Sequence, residues 1–126
     1  MEFNFNCEHA LNCDENGIAI IEGSFESNIR PSFKLHVKHI LDILGEKSSQ
    51  SQGLSITKTN SSNFFTSYDR IFILVNKNKA LGYLRSGHRK MHIKDANNNY
   101  NQDNIISVID FYVDKDNERK GYGKVF

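Results

Sequence analysis

Toward its C-terminal end the chain reads Glu118-Arg119-Lys120-Gly121-Tyr122-Gly123-Lys124, two glycines one residue apart among cations. Glycine has no Cβ, so backbone at Gly121 and Gly123 can approach a ligand closely. The amide N–H groups of such a turn, with a helix N-terminus behind them, make a cradle for a pyrophosphate. Arg119, Lys120 and Lys124 would add positive charge around it. The turn follows the apolar run Ile105 to Val113, and open α/β sheets bind ligands beyond the ends of such strands. The third glycine and downstream acid of a dinucleotide fingerprint are absent, so this is not a Rossmann site. Glycine-spaced turns after a strand also occur without any ligand.

Other reactive side chains are grouped less tightly. Asp110 lies inside the long apolar run, as either a buried, hydrogen-bonded structural carboxylate or an active-site acid, with the structural role favoured. Arg85, His88, Arg89 and Lys90 form a basic cluster that is either a docking patch for an acidic partner or a solvated face. His36 and His39 stand three residues apart in a helical pattern with no third ligand, and Cys7 and Cys13 have no histidine at useful spacing. No metal site follows from these residues.

These groups must be positioned by a small number of elements. Phe33, Val37, Ile40, Leu41 and Leu44 form one apolar stripe at helical spacing after Pro31-Ser32. Ser32 can cap that helix, and Gly45 can supply a left-handed residue past its end. The polar segment Glu46 to Ser55 reads as only weakly helical. Arg70 to Val75 is a short β-branched run and reads as a buried strand. Asn76 to Lys79 then turns the chain into a second strand, Ala80 to Leu84, which residues 85–93 extend or pair with. Met1 to Phe5 and Ile18 to Ile21 read as further strands. A polar loop, Lys94 to Asn104, precedes the longest strand, Ile105 to Val113. The expected fold is α/β, a mixed sheet with the Phe33–Leu44 helix on one face and the two long apolar runs as its central strands.

At 126 residues, with 38% hydrophobic and 25% charged residues, the chain suits one globular domain. Its net charge of +1 provides no global field toward nucleic acid or an anionic membrane, so any electrostatic partner must meet a local patch. No apolar stretch approaches the length of a membrane span. The cysteines, without a preceding secretion signal, are expected as free thiols in a reduced, cytosolic setting. The Asn60-Ser61-Ser62 sequon is then incidental.

Glu118-x-x-Gly121-x-Gly123 resembles the acetyl-CoA signature of GNAT acetyltransferases, with Glu118 where glutamine or arginine is usual. The wider string Ile109 to Val113 followed by Arg119 to Lys124 is similar to one branch, the α-tubulin N-acetyltransferases. Met1 to Phe5, Ile43-Leu44-Gly45 with Gln52-Gly53-Leu54-Ser55, and Gly82 to Lys90 resemble further stretches of that family, in the same order. The resemblance runs the length of the chain.

It implies a GNAT-like sheet flanked by helices, and transfer of acetyl from acetyl-CoA to a lysine of α-tubulin in microtubules. Phe111, Tyr112, Val113, Arg119, Lys120, Gly121, Tyr122, Gly123 and Lys124 would hold the co-substrate. Gln52 matches a glutamine that matters for catalysis and would position the lysine or a water, because an amide does not titrate. Ser107 matches a position that is usually cysteine, and its hydroxyl cannot stand in for a thiolate. Arg85, His88, Arg89 and Lys90 would dock tubulin. The family's catalytic aspartate belongs to a strand beyond the signature helix, so residues 1–126 are expected to be the N-terminal and central part of one such domain, with little activity alone. Alternatives are a GNAT enzyme for another amine and an incomplete fragment that at most binds a partner. The implied setting is the cytoplasmic cytoskeleton, cilia or flagella included.

Overall fold

The computed structural model describes residues 2–24, 29–94 and 100–114, with backbone alone at 90–94 and 100–104. In chain order its elements are α1 (Cys7–Leu11), β1 (Ile18–Glu22), α2 (Lys34–Ser51), α3 (Ser61–Phe65), β2 (Arg70–Asn76), β3 (Lys79–Lys94) and β4 (Tyr100–Val113). The strands form one sheet in the order β1-β2-β3-β4, and each neighbouring pair is antiparallel. The α/β class is as expected, while the described strands are antiparallel throughout, with no parallel pair among them. The reason is local: only a few residues separate β2 from β3 and β3 from β4, and short connections link antiparallel neighbours. Among the described strands β4 pairs with β3 alone, so it is an edge rather than a central strand.

The helix that positions the site is α2. Val37, Ile40, Leu41 and Leu44 are all but fully buried against Ala19, Ile21, Ile71, Ile73, Val75 and Tyr83. Ser32 does not cap the helix; Phe33 holds the cap position and makes no side-chain bond there. A missing cap forgoes about 1 kcal/mol. Each buried aliphatic side chain contributes about 1.5–3 kcal/mol, so the stripe outweighs the loss. Nor does the helix end at Gly45, since it runs on to Ser51 and the left-handed residue is Gly53, φ +69°. Gly45 is glycine for another reason. A Cβ there would lie 1.7 Å from the backbone oxygen of Thr59. The segment after Gln52 folds back against the helix at that point.

The N-terminal stretch is not a strand, and only Glu2 bridges to Lys79. Its phenylalanines pack instead, Phe5 edge-on to His36 at 4.0 Å and Phe3 to His39 at 5.4 Å. The two histidines are therefore aromatic partners of the N-terminus rather than a merely solvated face.

Candidate active site

Strand pairing and one bulge set the site. Arg85 faces Asp110, but the next residue, Ser86, faces Val108, so Ile109 is an extra residue in β4. Bulges of this kind re-aim neighbouring side chains. In an unbroken strand Ser107 and Asp110, three residues apart, would lie on opposite faces. The bulge brings both to the α2 side, Asp110 beside Arg85 and Ser107 opposite Gly87.

Asp110 is 3% exposed and is surrounded by donors. Ser48 Oγ (3.0 Å), Gln52 Nε2 (3.1 Å) and the Phe111 N–H (3.0 Å) donate to Oδ1. Thr59 Oγ1 (2.8 Å) and the Tyr83 hydroxyl donate to Oδ2. Gln52 Nε2 also donates to Ser48 Oγ at 2.9 Å. Burial pushes the Asp110 carboxyl up, but the bonds from Tyr83, Thr59, Gln52 and Ser48 outweigh it and hold the group below the usual carboxylate range. Burial, then the bond to Asp110, drives the Tyr83 phenol upward. Asp110 is thus an ionised carboxylate whose lone pairs are already engaged, which makes it a poor general base and a firm anchor.

A second cluster adjoins the first through Thr59, whose Oγ1 accepts from Arg85 Nη1 at 3.3 Å. Arg85 is 5% exposed and lies against the Phe64 ring, 5.6 Å from its centroid. Its Nε and Nη2 each reach Asp69 Oδ2 at 2.8 Å. Arg89 bonds the same carboxylate, Nη1 to Oδ1 at 2.9 Å and Nη2 to Oδ2 at 3.0 Å. The bond from Arg89, with those of Arg85 behind it, holds Asp69 below the usual carboxylate range despite its burial. This corrects the expected basic patch. Arg85 does not reach the surface, because its charge is neutralised inside the fold, and Arg89 is tied to the same acid with 45% of its side chain exposed. His88 is exposed on the hairpin.

Of the other candidates, Gln52 stands at the end of α2, exposed yet bonded inward. Ser107 is half-buried. Phe111 is 41% exposed on the face away from α2, Tyr112 packs toward Tyr83 with ring centroids 6.4 Å apart, and Val113 is buried. The side chain of Lys90 and the whole of Arg119, Lys120, Gly121, Tyr122, Gly123 and Lys124 lie outside the described residues. Sequence reasoning missed Ser48, Thr59, Asp69 and Tyr83. For Ser48 a signal existed: Leu44, Ser48 and Gln52 follow one another at four-residue steps, so the apolar stripe of α2 continues as a polar one. For Thr59, Asp69 and Tyr83 no local signal exists, because sheet register and chain reversal bring them together.

Comparisons with known proteins give the family. A family model described as "GNAT acetyltransferase, Mec-17" matches residues 3–126. An α-tubulin N-acetyltransferase of Tetrahymena thermophila is 28% identical over 126 residues, 99% of this chain and 32% of the relative. Those of Giardia intestinalis and Aedes aegypti are 25% and 28% identical, each over 98% of this chain and over 34% and 49% of their own lengths. The chain therefore spans about a third to a half of these curated relatives. With a match that takes in both the Asp110 strand and the glycine-spaced turn, the chain belongs to the Mec-17 family of GNAT acetyltransferases.

Proposed function

We propose that this chain carries out acetyl-CoA-dependent N-acetylation of a lysine of α-tubulin in microtubules. The observation that carries the reading is the family match spanning Asp110, Phe111–Val113 and Gly121/Gly123. That the relatives are α-tubulin N-acetyltransferases supports α-tubulin as the acceptor and a cytoplasmic, cytoskeletal setting. No described helix is long and apolar enough to cross a membrane.

The end of β4 fits an extended, amide-bearing ligand. Asp114 N donates to Leu81 O at 2.8 Å, so its backbone points back to β3. By alternation the backbone of Val113 points to the outer edge, where a pantetheine amide or thioester carbonyl would find a donor. Arg119, Lys120, Tyr122 and Lys124, with the amides of Gly121 and Gly123, would hold the pyrophosphate. When bound, acetyl-CoA supplies an activated acyl group: the acceptor nitrogen forms a C–N bond as the thioester C–S bond breaks, and its proton ends on the thiolate. The chain's task is to hold the lysine as a neutral amine, since an ammonium has no lone pair. Gln52, exposed at the end of α2, would orient that amine, and the Ser107 hydroxyl is too weak an acid to act as a thiolate would. Docking of tubulin would fall to His88 and the exposed part of Arg89, with Lys90 next in sequence.

The test is acetyl-lysine formation on polymerised tubulin by a complete domain that contains this chain, with acetyl-CoA, followed by mass spectrometry and by release of free CoA thiol. Gly121→Val is expected to abolish acetyl-CoA binding in calorimetry without lowering the unfolding temperature. Unchanged affinity in that variant, or no acetyl transfer to tubulin by a complete domain that contains this chain, would overturn the reading.

A further inference from the structure

We propose that Asp110 is a positioning residue: it fixes the Gln52 amide with its nitrogen inward and its oxygen outward, presenting an acceptor to the incoming amine. This rests on the acetyltransferase reading and concerns the same site. The two ends of a glutamine amide are nearly identical in shape, so its orientation is chosen by hydrogen-bond partners. Here those partners leave one choice. Asp110 Oδ1 is a carboxylate oxygen and can only accept. Ser48 Oγ has one hydrogen, and it is aimed at Asp110 Oδ1 at 3.0 Å, so toward Gln52 it too can only accept.

Both hydrogens of Gln52 Nε2 are therefore used inward, at 3.1 Å to Asp110 and 2.9 Å to Ser48. Reversal of the amide would set Oε1 against the carboxylate and forfeit both bonds. The anchor is itself immobilised, because Thr59 and Tyr83 grip the second oxygen from the opposite side. Gln52 is exposed, and with its nitrogen turned in, its oxygen is the end offered to solvent. An amide oxygen accepts an N–H from an ammonium or from a neutral amine, whereas an outward NH₂ would repel an ammonium and would tie up the lone pair of a neutral amine. By accepting one N–H it directs the lone pair of the amine, which is how a group that cannot titrate contributes to transfer.

The test is a double-mutant cycle on the full chain, with Asp110→Ala, Gln52→Met and the pair. It reads kcat/KM for the acceptor lysine, acetyl-CoA affinity by calorimetry, and thermal unfolding. If Asp110 acts through Gln52, Asp110→Ala lowers kcat/KM on the order of tenfold alone and by less than about twofold in the Gln52→Met background. Acetyl-CoA affinity should stay level, and a loss of thermal stability should persist in the Gln52→Met background, where the kinetic loss vanishes. Equal kinetic losses in both backgrounds would make Asp110 merely structural and overturn the proposal.

Should Asp110→Ala fail to fold, Ser48→Ala replaces it, with a smaller loss of about threefold that again vanishes beside Gln52→Met. Nitrogen-15 NMR of the parent chain decides the orientation without activity. The Gln52 side-chain NH₂ signals should be protected from exchange and should move with the acid titration of Asp110. Free, solvent-like signals would sink the proposal even if acetyl transfer is confirmed. Absence of transfer with protected signals would remove the acetyltransferase reading and leave the fixed amide.

Discussion

Gly87 lies between two charged side chains that its own strand brings to one face. Arg85, Gly87 and Arg89 alternate along β3, and a Cβ at Gly87 would stand 2.1 Å from Asp69 Oδ1 and 2.6 Å from Arg89 Nη1. The gap in the middle lets one buried carboxylate hold both guanidiniums. The two arginines should not be equivalent. Arg85→Ala leaves Asp69 with only a half-exposed partner and Thr59 without its donor, and breaking a buried pair costs about 3–5 kcal/mol. Arg89→Ala removes a pair that is partly screened by water and should cost about 1 kcal/mol or less. Chemical denaturation of the two variants checks this, and equal losses would contradict the buried role of Arg85. Removing His88, which is exposed on the hairpin, should by contrast leave stability unchanged while raising the KM for microtubules.

In α2 the decisive position is the glycine within it. Inside an ordinary exposed helix, Gly→Ala stabilises by about 1 kcal/mol. At Gly45 the sign should invert, because the new methyl would meet the Thr59 carbonyl at 1.7 Å, and backbone is on both sides of the contact. Overpacking of this kind costs about 1–3 kcal/mol. Gly45→Ala is therefore expected to lower the unfolding temperature. It should also weaken acetyl transfer, since Thr59 is displaced from Asp110. Leu44→Ala one residue earlier should cost about 2–5 kcal/mol through its cavity alone. A stabilised Gly45→Ala variant would show that the close approach of the Thr59 segment is wrong.

Across the whole molecule, the buried ionisable groups limit stability at both ends of the pH scale. Asp69 and Asp110 have carboxyls lowered by folding, so their contribution is fully present well above the unfolded value of about 4 and is lost as pH falls through the folded values. Cys7 is buried and its thiol is pushed up to about 11, chiefly by that burial. Its contribution is present below the unfolded thiol value of about 8.5 and is lost as pH rises toward the folded one. The stability curve should therefore be level near neutrality and fall below about pH 4 and above about pH 8.5. Urea unfolding across this range checks it, and Asp69→Asn should make the acid limb shallower, by up to about 1.4 kcal/mol per pH unit. An acid limb no shallower in Asp69→Asn would show that Asp69 titrates alike in both states.

The sequence by itself determined what depends on neighbours along the chain. The three- and four-residue steps from Val37 through Leu41 to Leu44 make one face of a helix wherever it packs, and Ile71 to Val75 makes a buried strand for the same local reason. The turn at Lys77-Asn78, with Lys77 at φ +55°, also belongs to local chemistry. The family was legible too, because the motifs that carry it are runs of neighbouring residues. Only the tertiary structure decided the roles of the charged and polar side chains. Arg85 reads as a surface cation until β3 pairs with β4 and carries it inward beside Asp110. Asp110 reads as an acid or, by preference, a strut, with no partner named until Ser48, Thr59 and Tyr83 arrive from three other parts of the chain. A hydrogen bond between residues 51 or 62 positions apart leaves no trace in either local pattern. The physical reason is that apolar periodicity reports which way a segment faces, whereas the partner of a buried charge is set by register and chain reversal.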